Sequence, residues 1–475
     1  MSDDEQKPLA SDEQKPLASG EKKALSSGEY RVPDSSPWAR AWKVAAGVGG
    51  LGVVCGLAGY SVDPRRFAFA YLMGFLTVLT MALGSTFFVL LQHLTGAGWS
   101  VTVRRTSEFF VAGAIIIPVL ALPNLLSLGE LYPWWHHRHE ERGHEQERQQ
   151  VSVAHAREQG EAPATAGNHR ASGGHAATAE QREGQRGPEH ALHEATLEKK
   201  LGYLNPTFFF IRAAIYLLVW MWLSTRLFRY STNQDESGDP SWTVKLQRMA
   251  PVATIAFAFS LNFAAFDWFM SLEPNWYSTM FGVRLFATST VLSFALNILV
   301  TLGLRRAGIS KGAIHVEHFH DLGKLLFGFL VFWAYISFSE FFLIWYAAIP
   351  EETLYFHRRW DTDSWRLVSV SLVVVKFIIP FFLILSRDAK RNLGLLGLGA
   401  GCVVALHLVE MYYWVMPHFQ EGGIAFSATG IITDLGCVFA CVGLYLAVVF
   451  RRMLDHAVIP VRDPRLQRAI DFVNA

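Results

Sequence analysis

The residues that invite a chemical reading are ionisable side chains set inside or at the ends of long apolar runs: Glu340, Lys376, His407, Glu410, Asp434 and Asp267. A charge at the bilayer centre costs at least roughly 2.5–3.5 kcal/mol on insertion scales, so each such group needs a partner or a role, and proton transfer is the role they share. Glu340 lies about 18 residues into its run, roughly 27 Å at the helical rise, with Ser337 and Trp333 on the same face. His407 and Glu410, at i,i+3 spacing, share one face of another helix at about the same depth, so two helices present carboxylates at one level. Asp434 falls about two turns from the start of the last run, and Asp267 closes an earlier one and is followed by Glu273. Lys376 sits near the middle of its run, where an ammonium must pair with a carboxylate or lose its proton. It is a candidate bridge between the acidic set and the opposite membrane face.

At that opposite face His315, Glu317, His318, His320, Asp321 and Lys324 precede the run that holds Glu340, with His93 and Glu108 at the ends of two others. Such groups can collect protons. The candidate route is Lys376, Glu340, His407, Glu410, Asp434, Asp267, Lys324, Asp321 and His320. Competing readings attach to each part. Lys324, Asp321 and His93 lie where side chains snorkel to headgroups. Glu340, His407, Glu410 and Lys376 also suit interhelical hydrogen bonds. Asp267 and Glu273, beside Trp268, Pro274 and Trp276, suit a loop-ordering pair at the interface.

Nine of the 17 histidines crowd between His136 and His193 at irregular spacing, with no thiol or acidic frame; a solvated low-complexity segment is the simpler reading, weak zinc or copper binding the other. The four cysteines all lie in apolar runs and form no CxxC pair, which reads as packing. Only His407 stands well inside a run, so the axial pairs of a b-type cytochrome are missing, and no Walker loop, dinucleotide fingerprint or nucleophile elbow stands out. No catalytic or metal-ligating set is assigned.

The elements that must position these residues are membrane helices. Of 475 residues 51% are hydrophobic and only 17% charged, with 35 Phe and 15 Trp, more than one soluble core can use. Net charge is +1, which offers no basic field for nucleic acid. Ten runs approach bilayer length: about 42–60, 67–94, 109–129, 208–228, 251–270, 282–304, 322–348, 367–386, 393–415 and 428–450. The expected class is an all-α integral membrane protein. Residues 1–36, with DEQKPLAS repeated in tandem, are expected to form a disordered tail; 37–131 hold spans one to three; 132–201 form a His-rich disordered insertion; 202–455 hold spans four to ten; 456–475 form a C-terminal tail. Connections on one side carry Arg104, Arg105, Arg226, Arg229, Lys245, Arg248, Arg305, Arg306, Lys311, Arg387, Lys390 and Arg391, against Arg65, Arg66, Arg358 and Arg359 on the other. That asymmetry predicts both termini in the cytoplasm and the insertion outside.

Two segments carry more than hydropathy: FAAFDWFMSLEPNWYSTMFGV from Phe263 to Val283, and KLLFGFLVFWAYISFSEFFLIWYAAIPEET from Lys324 to Thr353. They resemble the alternative complex III family of bacterial quinol oxidoreductases, in particular its second polysulfide-reductase-type (NrfD-like) membrane subunit, often labelled quinone-binding subunit 2. The resemblance covers about residues 40–455. It implies two four-helix bundles, spans two to five and six to nine, with the first and last helices flanking. It also implies the bacterial inner membrane and a complex in which an NrfD-like sister subunit oxidises quinol beside an iron–sulfur protein and a multihaem cytochrome c. Haem c and iron–sulfur clusters would then belong to partners. This chain would carry no cofactor of its own, with quinone or quinol left open as a ligand, and would be a structural, proton-conducting or quinone-interacting subunit. Carried over by position, the matching polar residues are Asp267, Glu273, Lys324, Glu340 and Glu351. Two rivals stand beside this: a chain that itself oxidises quinol, and a secondary transporter, against which no pair of spans at matching positions is plainly short or Gly/Pro-broken.

Overall fold

In a bilayer every backbone amide must find its partner within the protein, so apolar runs of this length become helices. The computed structural model describes residues 30–135, 197, 199–420 and 422–473. It has ten helices long and apolar enough to cross a membrane: α1 Pro37–Val62, α2 Pro64–Leu94, α3 Val101–Leu126, α4 Pro206–Ser237, α5 Ser241–Leu272, α6 Phe281–Arg306, α7 Val316–Ala347, α8 Asp363–Leu383, α9 Leu393–His418 and α10 Ala428–Asp455. The described residues contain no strand. The tandem repeat and the nine clustered histidines lie outside the described residues.

Local sequence sets the helix starts. Asp63 and Asn205 each accept a backbone N–H from the first turn and are followed by a proline, whose missing N–H costs nothing there. Asn392 and Ser427 cap α9 and α10 in the same way. α7 stops at Ala348, which takes the left-handed conformation (φ 51°) two residues before Pro350 opens the short helix Pro350–Trp360.

Helices α2–α5 form one bundle and α6–α9 a second, while α1 and α10 pair with each other along α2. The first helices of the two bundles, α2 and α6, meet at the centre, and 89% and 83% of their most apolar stretches are buried. Their polar residues therefore face protein. Close approach depends on small residues. A Cβ on Gly52 of α1 would stand 2.3 Å from the Ala440 amide nitrogen of α10, and one on Gly84 of α2 would stand 1.9 Å from the Ser289 carbonyl of α6.

The flanking segments are more built-in than the sequence suggests. Tyr30 and Val32 are buried, and the Tyr30 carbonyl accepts the Val458 N–H at 2.9 Å. At the start of the insertion, Tyr132 and Trp134 are buried against Phe209, and the Tyr132 hydroxyl donates to the Trp268 carbonyl. The C-terminal tail buries Ile459, Asp463 and Ala469 against the helix ends. Apolar and aromatic residues here were masked in sequence by polar neighbours, and burial against helix ends is what orders them.

Candidate functional site

Lys376 occupies a π-helical turn, Leu372–Ile378, in the middle of α8. Pro380 lies four residues further on and has no N–H for the Lys376 carbonyl, so the α-helical ladder cannot run through; the Ile379 N–H instead bonds Val374, five residues back. The widened turn delivers the ammonium to Glu410 of α9, with side-chain exposure of 1% and 0% for the pair. The second face of the Glu410 carboxylate is fully engaged: Oε1 accepts from Thr288 Oγ1 of α6 at 2.9 Å and from Trp333 Nε1 of α7 at 2.8 Å. Lys376 Nζ also lies 4.6 Å from the centre of the Trp333 ring, a cation–π contact. All four helices of the second bundle thus supply one carboxylate.

His407 faces the same carboxylate from one turn away, Nδ1 3.8 Å from Glu410 Oε2. Its other nitrogen, Nε2, is 2.9 Å from Thr80 Oγ1 of α2. Thr80 donates its one proton to the Thr77 carbonyl, so the network assigns the ring proton to Nε2 and leaves the Nδ1 lone pair toward Glu410. Lys376, Glu410 and His407 are therefore three titratable groups in one buried cluster, with Lys376 bonded to Glu410 and His407 Nδ1 facing it without a hydrogen bond among the described residues.

One turn before Thr288, Arg284 of α6 bonds the other carboxylate: its Nη1 is 2.9 Å from Glu340 Oε2, and Ser278 Oγ donates to Glu340 Oε1 at 2.6 Å. Helix α6 bridges the two carboxylates. Toward the side that carries the termini, its buried face continues with Ser289, Ser293, Asn297 and Thr301. Ser293 meets Ser85 of α2 at 3.1 Å, Asn297 Nδ2 donates to Ser107 of α3 at 2.7 Å, and Thr301 meets Thr106 at 3.2 Å. Next to Ser107 lies a buried ion cluster: Glu108 with Arg104 and Arg105, Arg104 with Asp463, and Arg105 with Asp235. Buried hydroxyl and amide contacts thus line the α6 face on α2 and α3 between the level of this cluster and that of Glu410, with no hydrogen bond among the described residues joining them to either.

The other residues singled out in the sequence are placed apart from this centre. Asp267 is held by a bidentate bond from Arg212 of α4, both contacts 2.8 Å, and by the Tyr216 hydroxyl at 2.7 Å. Asp434 takes a bidentate bond from Arg66 at 3.1 and 2.7 Å. Asp321 pairs with the half-exposed Lys324, Glu317 with Arg391, and His318 Nε2 meets the Ala469 carbonyl at 2.9 Å. His320 is buried beside Asp321 near the start of α7. Above these groups the buried face of α7 is apolar, Leu326 and Leu330, until Trp333. His93 is buried and its ring nitrogens make no hydrogen bond among the described residues. Glu351 lies in the first turn of the helix Pro350–Trp360, where its charge suits the helix N-terminus.

The first sequence motif docks on the short helix Pro350–Trp360, which begins at the end of the second. Glu273 pairs with Arg358 at 3.1 Å, Trp276 Nε1 donates to the Glu352 carbonyl at 3.0 Å, and the Trp276 and Tyr355 rings stack with centroids 4.2 Å apart. Arg359 is fully buried, has no carboxylate partner among the described residues, and bonds the Tyr413 and Trp414 carbonyls at the end of α9. Burial holds its guanidinium below the usual arginine range, against the pull of Tyr355 and Tyr413. Residues that sequence reasoning read as loop charges setting topology, Arg66, Arg104, Arg105 and Arg359, are in the structure buried partners. Arg284 and Arg212 were missed altogether. Regular spacing was the available signal: 284, 288, 293, 297 and 301 recur every four or five residues on α6.

Comparison with protein-family models found no match, and comparison with curated proteins found none either.

Proposed function

We propose that this chain is an integral membrane subunit of a bacterial respiratory quinol:acceptor oxidoreductase, resembling alternative complex III, and that its second bundle conducts protons. The observation that carries the proton reading is the Lys376–Glu410–His407 cluster: three titratable groups, sealed from solvent, midway along their helices. A buried ion pair with a lysine can be neutralised by one proton moving between partners, and a neutral imidazole alongside offers a third station. On the termini side Ser293, Asn297 and Thr301 line the α6 face as far as Ser107, the neighbour of Glu108; on the far side Arg284 bonds Glu340 and Glu340 bonds Ser278 in the connection between α5 and α6.

The partners in this reading are an NrfD-like quinol-oxidising subunit, an iron–sulfur protein and a multihaem cytochrome c, with both termini in the cytoplasm. Purification through a tag on this chain in mild detergent, read by mass spectrometry and by optical and EPR spectra, tests the assembly. Haem c and iron–sulfur signals that co-purify support it; a colourless protein without partners overturns it. In an assembled complex reconstituted in vesicles, Glu410→Gln and Lys376→Met are expected to lower the proton-to-electron ratio. An unchanged ratio removes the proton role.

A further inference from the structure

On the side opposite the termini, the ends of the two bundles enclose a pocket of about 400 Å³ with a charged wall of Arg65, Glu130, Glu273, Arg358 and His418. Arg65 lies in the first turn of α2, Glu273 just after α5 and His418 at the end of α9, so the pocket sits at the level of lipid headgroups. Within the wall Glu273 and Arg358 pair at 3.1 Å. Arg65 and Glu130 are both exposed, one charge of each sign. Directly behind the wall stands Arg359, fully buried and without a carboxylate partner among the described residues, its Nη2 3.3 Å from His418 Nε2. A guanidinium can only donate, so Nε2 is the acceptor and a neutral His418 ring carries its proton on Nδ1. That nitrogen makes no hydrogen bond among the described residues; Glu273 Oε2 stands 3.8 Å away. His418, itself 7% exposed, thus passes the field of a buried cation to the pocket as an unspent N–H.

The charge balance selects the ligand. Two arginines and two glutamates in the wall cancel, and Arg359 leaves one positive charge over. A buried charge without a counter-ion is costly, and one negative charge in the pocket would offset it. A doubly charged anion would overshoot and meet Glu130 and Glu273 by repulsion. A phosphodiester carries a single charge, and its two free oxygens match the fork of an arginine. Exposed Glu130 at the rim suits an ammonium. We infer that this pocket binds the phosphate group of a zwitterionic lipid headgroup, phosphoethanolamine in type, with the phosphate on Arg65 and Arg358 beside His418 and the ammonium toward Glu130. Occupancy would tie the ends of α2, α5 and α9 to the short helix Pro350–Trp360, which supplies both Arg358 and Arg359. None of the residues that carry the proton reading takes part, so the two stand or fall separately.

The test uses the full chain, in the assembly in which it purifies, stripped of lipid in detergent. Dioctanoyl phosphatidylethanolamine is titrated in, and native mass spectrometry counts the molecules bound. A saturable site is expected, weakened about threefold to tenfold by Arg65→Ala and at least tenfold by Arg65→Glu. Both changes fall on an exposed side chain, and equal melting temperatures without lipid show that the fold is kept. Glu130→Gln should retain phosphate binding and move the preference from the ethanolamine toward the glycerol headgroup. Dioctanoylglycerol, which lacks the phosphate, binding as tightly overturns the proposal, and so does lipid binding indifferent to Arg65→Glu. Inorganic phosphate that displaces the lipid supports the site. Inorganic phosphate that binds where the lipid does not overturns the lipid source and assigns the pocket to the soluble ion.

Discussion

Lys376 and Glu410 pair across the third and fourth helices of the second bundle, and Arg212 and Asp267 pair across the third and fourth helices of the first. One arrangement thus occurs twice with different chemistry. Arg212 grips Asp267 with a two-pronged fork that stays charged at any working pH, and Tyr216 fixes the carboxylate further. Lysine is a point charge that can give up its proton when buried. The first pair is built to hold and the second can switch.

Removing one partner of the second pair strands the other charge in a dry core. Lys376→Met and Glu410→Leu should each destabilise by about 3–5 kcal/mol, and the double variant by less than either single one. Thermal and denaturant unfolding in detergent measure the cycle; additive losses would show that the two side chains do not depend on each other.

The contact between the two motifs should be a stability element in its own right. Trp276→Ala loses the bond to the Glu352 carbonyl and the stack on Tyr355, a loss of about 3–5 kcal/mol for a buried tryptophan. Limited proteolysis should then cut first in the connection around Pro350–Trp360. Unaltered resistance there would mean that Glu273–Arg358 alone secures the loop.

Helix α1 offers a contrast between two glycines. Gly52→Ala drives a Cβ into the α10 backbone and should cost about 1–3 kcal/mol. Gly47 has nothing within 4 Å of its added Cβ, and Gly47→Ala should be neutral or stabilising by up to about 1 kcal/mol. Melting temperatures of the two variants, measured side by side, check the packing directly.

Acid sensitivity should trace in part to Asp463. Burial alone would raise its carboxyl, but Arg104 and Arg465 overcome this and hold it well below the ordinary value of 3.8. A depressed folded value means that the stabilisation is complete above the unfolded pKa and is lost as pH falls below it toward the folded one. From pH 7 to about 5 the gap in melting temperature between the native protein and Asp463→Asn should be constant, and it should narrow below about pH 4. A gap that grows on acidification would reverse the sign and remove Asp463 from the acid response.

The sequence by itself determined the ten helices, because hydropathy and length are local properties that the bilayer reads directly. It also marked Lys376, Glu340, His407 and Glu410, since a charge in an apolar run is visible without any fold, and the i,i+3 spacing placed His407 and Glu410 on one face. Only tertiary structure decided which of the marked groups meet. Asp434 finds Arg66 across 368 positions and Arg104 finds Asp463 across 359, distances over which no local pattern carries information. The same contacts divided the acidic residues into arginine-held pairs, Asp267 and Asp434, and one cluster around Glu410 that contains a lysine and a histidine. Partner choice depends on which helix faces lie together, and those faces are set by glycine contacts, a proline-driven π turn and the central packing of α2 on α6.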